Sequence, residues 1–425
     1  MAEKPAAGGR MIARHDGEIV LVAGAIPGER VTARVTRAEK RVAFADAIAV
    51  AEPSPNRRDA ADPGCGGCLY AHIAYQGQVE LKAQVIEDAF LRIGRIPLVE
   101  PVTVRSAAER GYRMRARFHV RDGRAGFYRE GTHSLCDARQ TGQLFEGSAD
   151  VVDAVVAAMA ERGVTVVSAE LSENLDASQR AVHVDTAPAK DLAAALEDAV
   201  AQSRLTGATA RGADGVAASA GDPLVTDPLT ALTEGRATQG VLRRHPEAFF
   251  QGNRFLVGPL VAAVIDVVPA GRILDLYAGV GLFAVSLAGA GRGQVTAVEG
   301  DSISGRDLER NAAQFADALR VSHSSVEHFV INLRPPSTRF ARSGQAADTL
   351  IVDPPRTGLS KEAGEAIARS RAGRIVYVSC DAPTMARDAR RLLDAGYRLV
   401  SLQGFDLFPN TPHVESLGVF ELARA

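Results

Sequence analysis

The carboxyl-terminal half of the chain alternates short apolar runs with segments of helical spacing, which is the pattern of parallel strands joined by helices. Apolar runs lead in turn into Asp275, Glu299, Asp353 and Cys380, and a last run covers residues 417–422. The carboxyl ends of parallel strands meet at one edge of a sheet, where open α/β sheets bind their ligands. Residues 241–425 are therefore predicted to form a Rossmann-like α/β domain.

The amino-terminal region has a different pattern, in which short alternating runs are separated by turn signals. Turns are indicated at Asp16-Gly17 and at Pro27-Gly28, and residues 31–36 alternate apolar with polar side chains. Five short strands within residues 10–52 predict a small β-barrel of the oligonucleotide-binding type, assigned to residues 1–53. The alternative is a structural β-module that binds no ligand.

A central α/β connector is predicted between these two regions, over residues 54–240. Residues 53–63 read as a linker, and residues 73–93 have helical spacing that ends at Gly94. A helix is predicted near 151–162, a hairpin follows it, and a second helix is predicted near 190–202. Residues 208–237 are rich in turn formers and predict no regular element.

The formal net charge of −2 excludes a generally polycationic protein, so any nucleic-acid site must be a local patch. One candidate patch lies on a predicted strand where Arg113, Arg115 and Arg117 alternate with apolar residues. Such a strand directs three guanidinium groups to one face, and three aromatic residues are near in sequence: Tyr112, Phe127 and Tyr128. This face suits phosphates and bases, and the alternative is a solvated strand face.

The chain has four cysteines, too few for a disulfide scaffold at a length of 425 residues. Cys65 and Cys68 flank two glycines, a spacing that suits a metal or an iron–sulfur cluster, with Cys136 as a distant third ligand. A cluster normally has four thiolate ligands, and the position six residues before Cys65 is Asp59. Three alternatives stay open: a 4Fe–4S cluster with an aspartate ligand, a cluster with a labile iron, or a degenerate site.

The location and partners follow from what the chain lacks. The first eleven residues have no apolar signal-peptide core, and no apolar run is long enough to span a bilayer. We therefore expect a cytoplasmic protein that does not interact with membranes, and no obligate protein partner is inferred.

A glycine turn follows the strand that ends at Asp275. Gly279 and Gly281 allow the backbone to approach a ligand at the start of the next helix, and Glu299 follows about 20 residues later. A carboxylate at that place can accept hydrogen bonds from both hydroxyls of a ribose. This succession predicts a site for a nucleoside-bearing cofactor.

Cys380 stands at the end of the fourth apolar run of this region, after the runs that lead into Asp275, Glu299 and Asp353. Pro383 has no backbone N–H and therefore cannot extend the strand pairing. A lone cysteine is more often a small buried hydrophobe than a nucleophile. The ordered series of glycine, acid, acid, cysteine and acid at five strand ends reverses that expectation.

These segments resemble the motif series of the S-adenosylmethionine-dependent RNA uracil-C5 methyltransferases. The resemblance is carried by residues 249–253, 275–281, 353–358, 379–388 and 408–415. The amino-terminal barrel is similar to a TRAM domain, so that the resemblance covers nearly the whole chain. The barrel-bearing layout indicates an enzyme of 23S ribosomal RNA over one of transfer RNA.

The resemblance implies S-adenosylmethionine as cofactor and RNA as substrate. It assigns Cys380 as the nucleophile that adds to uracil carbon 6 and Glu415 as the base that removes the proton from carbon 5. Gln251 and Asp353 are expected to line the pocket between cofactor and uracil. The cofactor site is completed by the glycine turn, with two residues holding the adenosine: Tyr277 and Glu299.

The chain departs from the family pattern at four places. One follows the predicted nucleophilic cysteine, where Asp381-Ala382-Pro383 stands in place of Asn-Pro. The first cluster cysteine is missing, Leu282 follows the glycine turn in place of Asn, and Ser325 stands where an acid or amide contacts adenine. One alternative is a catalytically dead RNA-binding assembly factor, and another is a transfer-RNA uracil-C5 methyltransferase. An amino-group methylase is disfavoured, because Arg356 follows Asp353-Pro354-Pro355 where those enzymes have an aromatic residue.

Overall fold

The computed structural model describes residues 1–60, 64–331, 333 and 347–423. The last three residues of the predicted linker, 61–63, lie outside the described part. Among the residues that are described, no helix has the length and apolar character needed to cross a membrane.

The amino-terminal module is a five-stranded sheet, but four of its strands lie within residues 10–52, where five were predicted. The fifth strand precedes them, at residues 2–5. Its strands are Ala2–Pro5 (β1), Met11–His15 (β2), Glu18–Ala23 (β3), Arg30–Ala38 (β4) and Val42–Glu52 (β5), in the order β1-β2-β3-β5-β4. The amide of Ala2 donates to the carbonyl of Glu29 at 2.9 Å, which brings β1 against the start of β4. Met11 and Val22 pack with Tyr70 and Ile73, so the module is anchored on the segment that follows it.

That following segment packs on the carboxyl-terminal domain. Its helix is Tyr75–Ala89 (α1), continued by a π-helical turn Phe90–Gly94, and its strand is Thr103–Arg105 (β6). Ile86 and Phe90 are fully buried in the core beneath the carboxyl-terminal sheet. β6 pairs in parallel with residues 403–405 at the edge of that sheet. Part of the predicted central region 54–240, namely the end of α1 and strand β6, therefore packs with the carboxyl-terminal domain.

The central sheet has seven strands in the order β13-β12-β11-β10-β7-β8-β9. The strands are Arg115–Arg121 (β7), Arg124–Tyr128 (β8), Leu135–Cys136 (β9), Val166–Glu173 (β10), Arg180–Thr186 (β11), Gly207–Gly212 (β12) and Ala217–Gly221 (β13). Two helices, Ser148–Glu161 (α2) and Leu192–Gln202 (α3), pack on one face of this sheet. Residues Ala138–Thr141 form a 3-10 turn. Ala116 and Phe118 point into this core, so Arg115, Arg117 and His119 point to the opposite face.

The hairpin and both helices predicted for this region are confirmed, with small shifts at their ends. The turn-rich region 208–237, for which no element was predicted, contributes strands β12 and β13 to the central sheet. It also contains a short junction of Val225–Pro228 (β14), Leu229–Leu232 (α4) and, after it, Val241–Arg244 (β15).

The carboxyl-terminal sheet has eight strands in the order β18-β17-β16-β19-β20-β22-β21-β6. Its strands are Gly271–Leu276 (β16), Gly293–Glu299 (β17), Leu319–His323 (β18), Thr349–Val352 (β19), Arg374–Ser379 (β20), Tyr397–Phe405 (β21) and Glu415–Leu422 (β22). β16 to β20 are parallel and β22 runs antiparallel to both its neighbours. This confirms the Rossmann-like α/β class.

Helices cover both faces of this sheet, as parallel strands require. They are Val257–Val267 (α5), Leu282–Gly289 (α6), Ser302–Ala312 (α7), Val326–Val330 (α8), Lys361–Ser370 (α9) and Ala382–Asp394 (α10), with a 3-10 turn at Ala313–Phe315. Two apolar cores lie on the two sides of the sheet, one containing α5 and α6, the other α9, α10 and the end of α1.

Buried ion pairs join the central sheet to this domain. Arg254 donates to the carboxylate of Glu173 and, at 2.9 Å, to the carbonyl of Leu175. Arg244 on β15 donates to the carbonyl of Glu173 on β10 and, at 2.5 Å, to Asp227 on β14, and both side chains of this ion pair are about 1% exposed. Because a buried charge without its partner is costly, these contacts fix the central sheet against the edge of the Rossmann-like domain.

Candidate active site

The loop between β16 and α6 has the backbone of a ligand-binding turn. Tyr277, Gly279 and Gly281 all adopt positive φ angles, of 63°, 57° and 96°. At Gly281 an added Cβ would lie 2.6 Å from Cγ2 of Val285 and 2.8 Å from Cδ1 of Leu308, so only glycine fits there. The predicted glycine turn is thus required by both the backbone angle and the packing of α6.

The end of β17 brings Glu299 under this loop. Its Oε2 accepts from the amide of Gly279 at 2.7 Å, and its Oε1 accepts from the amide of Asp301 at 2.6 Å. Each carboxylate oxygen keeps a further lone pair for an outside donor. Glu299 is therefore held in place by backbone groups and can still accept from the hydroxyls of a ribose.

The residue at the usual adenine position has another task in this chain. The hydroxyl of Ser325 accepts from the amide of His328 at 3.2 Å and caps the short helix α8. The nearest acid is Glu327, whose Oε1 accepts from the hydroxyl of Tyr277 at 3.2 Å. Sequence analysis missed Glu327, which lies two residues beyond the position where an acid was sought.

The pairing of β20 with β22 brings the two predicted chemical groups together. Ser379 lies opposite Ser416, so the next step along the antiparallel pair places Cys380 opposite Glu415. The parallel pairing of β19 with β20 matches Val352 to Tyr377, and Asp353 follows at the same edge. Three separate strands thus deliver the cysteine and both acids to one place.

A cavity of about 740 Å³ is lined by seven of the eight predicted catalytic and cofactor-binding residues. Those that line it are Gln251, Tyr277, Gly279, Glu299, Asp353, Cys380 and Glu415. Gly281 lies just beyond it and shapes the loop. The amide of Gln251 donates to Oδ2 of Asp353 at 3.4 Å, which links the segment before α5 to the end of β19. Arg356 also lines the cavity, and sequence analysis gave it no place in the site.

Burial governs the protonation of this cluster. Burial and, after it, the charge of Glu415 raise the pKa of Cys380 to about 12, against the opposing charge of Arg356. Burial and the charge of Asp353 likewise raise the pKa of Glu415 well above its ordinary value. The pKa of Asp353 rises to about 7 because of burial, against the hydrogen bond from Gln251. Without ligands the thiol is therefore protonated at neutral pH.

Glu415 has unused hydrogen-bonding capacity. It is 1% exposed, and neither carboxylate oxygen has a hydrogen-bond partner in the described structure. A buried carboxylate without donors is costly, so such a group is a candidate for a functional role. Its open side faces the cavity that also contains Cys380.

The expected iron–sulfur ligand set requires a correction. Cys65 and Cys136 form a disulfide across a sequence separation of 71 residues, and Cys68 lies outside it, buried. Among the described residues, no group of three or more His, Cys, Asp or Glu side chains could hold a metal ion. Because two of the three expected thiolates bond to each other, the set Cys65, Cys68 and Cys136 does not fit a cluster as it stands.

The CxxC segment, residues 65–68, also contributes to the cavity. Gly66 and Gly67, between the two cysteines of the CxxC segment, form part of the cavity wall. The side-chain amide of Gln143 donates to the carbonyl of Gly66 at 3.0 Å, and Arg113 donates to Oε1 of Gln143 at 2.7 Å. The cysteine segment therefore supports the arginine-bearing side of the cavity.

The arginines predicted to share one face all line this cavity, Arg113 from the approach to β7 and the other two from the strand itself. Arg115 pairs with Glu170 at 2.8 Å, whereas Arg117 has acids only at 3.7 Å. The aromatic residues predicted beside them line it as well: Tyr112, Phe127 and Tyr128. The central sheet thus contributes one wall and the Rossmann-like domain the other.

Comparisons with known proteins agree with this architecture. The family model for tRNA (Uracil-5-)-methyltransferase matches residues 231–424, and the TRAM domain model matches residues 3–48. The 23S rRNA (uracil(1939)-C(5))-methyltransferase RlmD of Pseudomonas putida is 31% identical over 437 residues, covering 99% of this chain and 92% of that protein. The enzyme of the same name from Methylococcus capsulatus is 31% identical and covers 97% and 94%.

Among solved structures, a similar fold is that of Pyrococcus abyssi tRNA (uracil-54, C5)-methyltransferase in complex with S-adenosyl-L-homocysteine. The two chains superpose with a TM-score of 0.76 at 23% identity, over 99% of each. At this identity the likeness concerns the fold, while the sequence relatives carry the family assignment over nearly the full length. The chain therefore belongs to the S-adenosylmethionine-dependent RNA uracil-C5 methyltransferases and carries an amino-terminal TRAM domain.

Proposed function

We propose that this protein makes 5-methyluridine in 23S ribosomal RNA. The observation that carries the chemistry is the opposition of Cys380 and Glu415 across β20 and β22, in the cavity that also contains the cofactor loop. The choice of RNA rests on the relatives, two of which are named as 23S rRNA (uracil(1939)-C(5))-methyltransferases and match over nearly their whole length. Ribosomal RNA is a cytoplasmic substrate, so we also propose a cytoplasmic location.

Carbon 5 of uracil is too weak a nucleophile to accept a methyl group unaided. In the proposed reaction the Sγ of Cys380 bonds to carbon 6, and the electrons of the 5,6 double bond move to the carbonyl at carbon 4 as an enolate. Carbon 5 then bonds to the methyl group that S-adenosylmethionine would supply, the bond between that methyl group and the sulfonium sulfur breaks, and S-adenosyl-L-homocysteine is the leaving group. Glu415 removes the remaining proton from carbon 5, the 5,6 double bond re-forms, and the bond between sulfur and carbon 6 breaks.

The electrostatics of the cavity suit this division of roles. A carboxylate with a raised pKa is a stronger base than an exposed one, which favours Glu415 as the proton acceptor. The pKa of Cys380, about 12 without ligands, means that the thiolate forms only as substrate enters. Arg356 is the cation that opposes this shift, and we assign it the stabilisation of the thiolate.

Gln251 and Asp353 are proposed to orient the uracil ring. A hydrogen bond of 3.4 Å already links them, and together they present a donor and an acceptor to the cavity. Uracil offers the complementary pair, an acceptor carbonyl and a donor ring nitrogen. The target base must leave any stack to reach this depth, as in other enzymes that act on a base.

The residues present fit the cofactor. Glu299 and Tyr277 would hold its adenosine, and the turn at Gly279 would approach its amino-acid part. S-adenosylmethionine supplies the electrophilic methyl group when bound. The role of this chain is to place that group beside carbon 5 and to exclude water from the cavity.

A transfer RNA substrate is the second candidate, favoured by the fold neighbour from Pyrococcus abyssi, which is named as a transfer-RNA enzyme. The experiment that separates the candidates measures transfer of labelled methyl groups to unmodified 23S ribosomal RNA and to transfer RNA. We expect label in the ribosomal RNA, in 5-methyluridine. Label in transfer RNA alone would replace the proposed substrate, and no label in either would favour the dead-fold alternative.

A further inference from the structure

The catalytic cavity extends beyond the reacting groups onto the central sheet. Its lining runs from Cys380 across to Arg117, His119 and Tyr128 on the β7–β8 hairpin. The predicted catalytic and cofactor-binding residues all lie in the carboxyl-terminal domain, so none of them belongs to this far wall. Since the hairpin belongs to a different domain from the catalytic residues, its surface needs its own explanation.

The far wall is built around two stacked rings. His119 and Tyr128 lie parallel, with centroids 3.6 Å apart and an interplanar angle of 7°, and His133 packs edge-on against Tyr128 at 5.3 Å. His119 pairs across the hairpin with Gly126, which carries no side chain. The rings are only partly buried, so they offer flat surface to the cavity.

Positive charge surrounds the stacked rings. The guanidinium of Arg121 lies 5.8 Å from the Tyr128 ring. Arg117, two residues before His119 on the same face of β7, lines the same cavity. Burial and the charges of Arg117 and Arg121 lower the pKa of His119, so the ring stacks as a neutral imidazole at neutral pH. The local potential therefore favours an anion next to an uncharged flat surface.

Arg117 is available for such an anion. Its side chain is 56% exposed, and its nearest carboxylate oxygens, on Glu170 and Asp185, lie 3.7 Å away. Arg115, in contrast, is engaged with Glu170 at 2.8 Å and only 26% exposed. A weakly held, exposed guanidinium can turn to a phosphate at little cost.

From this arrangement we infer a second nucleotide site: His119 and Tyr128 stack a base of the RNA adjacent to the target uridine, and Arg117 binds its phosphate. Stacked rings combined with arginines are how proteins bind unpaired nucleotides. The inference rests on the proposed function for the identity of the neighbouring uridine. It explains why a sheet in another domain completes the cavity.

The test is a double-mutant cycle between protein and RNA. The probe is a 23S ribosomal RNA fragment spanning uracil 1939, the position given in the relatives' names, with single abasic nucleotides at the two positions on each side of it. Dissociation constants are measured by fluorescence anisotropy in the presence of S-adenosyl-L-homocysteine. The variants are Tyr128→Ala and Arg117→Ala, and the matched control is Arg124→Ala, exposed on the same hairpin but not lining the cavity.

We expect one abasic position to weaken binding to the wild type by about 5- to 150-fold, the range for loss of one stacked base. Tyr128→Ala should weaken binding by a similar factor and lose its sensitivity to that one position, while Arg124→Ala keeps it. Arg117→Ala, which removes no buried group, should weaken binding while the abasic effect persists. Unaltered S-adenosyl-L-homocysteine binding checks that each variant is folded.

The inference is overturned if Tyr128→Ala binds the intact RNA as tightly as the wild type does. It is also overturned if the loss of binding free energy caused by Tyr128→Ala simply adds to the loss caused by each abasic position, so that no position couples to Tyr128. Methyl transfer is measured separately on the same RNA. If Tyr128 couples to one abasic position but the wild type does not methylate the RNA, the proposed function is refuted and the nucleotide site remains. If the wild type methylates the RNA but Tyr128 couples to no abasic position, the nucleotide site is refuted and the proposed function remains.

Discussion

A buried ion pair between Lys82 and Asp406 connects helix α1 to the loop that precedes Glu415. Both side chains are fully buried, and the ammonium of Lys82 donates to the Asp406 carboxylate and, at 3.0 Å, to the carbonyl of Phe408. Lys82 donates to Oδ1 of Asp406, and Oδ2 accepts no hydrogen bond in the described structure. Replacing Lys82 by Met keeps most of the volume and removes the charge, which leaves the aspartate buried and unpaired.

Breaking one partner of a buried pair costs about 3–5 kcal/mol. For a domain of 150–250 residues this corresponds to a fall in Tm of roughly 6–20 °C. Because the same ammonium holds the backbone at Phe408, we also expect kcat to fall in Lys82→Met while Glu415 itself is unchanged. Thermal unfolding by circular dichroism and steady-state methyl transfer measure the two effects.

The double variant Lys82→Met with Asp406→Leu separates charge from shape. Removing both charges is often neutral or stabilising, so we expect most of the lost Tm to return. Lys82→Met with the Tm of the wild type would refute the reasoning. A double variant less stable than both single variants would show that the pair contributes through its hydrogen bonds to the loop, and not through mutual neutralisation.

Three further predictions concern the site and the cysteines. With the pKa of Cys380 at about 12, its alkylation by iodoacetamide, followed by mass spectrometry, should accelerate about tenfold per pH unit between pH 7 and 10, and Arg356→Ala should slow it further; a plateau near pH 8.5 would contradict this. Cys136→Ser should lower stability by up to about 4 kcal/mol, the entropic limit for a closed loop of 71 residues, and the protein unfolded without reductant should titrate with two thiols; four thiols, or stoichiometric iron, would rule out the disulfide. Glu299→Ala should weaken S-adenosyl-L-homocysteine binding at least tenfold by calorimetry, since hydrogen bonds to a charged group are worth about 1.5–3 kcal/mol each, with the exposed Glu309→Ala as control; equal affinities would remove Glu299 from the cofactor site.

The parts of the site that the sequence predicted share a physical reason. Parallel strands end at one edge, so residues at the ends of apolar runs come together whatever lies between them. This brought Asp353 and Cys380 into one cavity, and the antiparallel last strand added Glu415. The common orientation of the three arginines followed from the alternation of side chains along a strand. That alternation has a period of two and does not depend on which strands pair with it.

Other features depend on contacts that local pattern does not encode. The strands β12 and β13 consist largely of Gly and Ala, so they lack the β-branched signal that predicts strands. Cysteine spacing does not specify pairing, so the disulfide between Cys65 and Cys136 could not be read from the chain. Ser325 stands at the position where an adenine contact was expected, but its side chain caps helix α8. Serine is a favoured helix N-cap residue, so its presence alone does not indicate a ligand contact.

The central claim is that Cys380 bonds to carbon 6 of uridine and that Glu415 releases the adduct. The direct measurement is methyl transfer from labelled S-adenosylmethionine to 23S ribosomal RNA by the wild type, Cys380→Ala and Glu415→Gln, with covalent protein–RNA adducts resolved on denaturing gels. We predict 5-methyluridine from the wild type, no product or adduct from Cys380→Ala, and a labelled adduct that persists in Glu415→Gln. Turnover by Cys380→Ala near the wild-type rate, or rapid release of methylated RNA by Glu415→Gln, would contradict the claim.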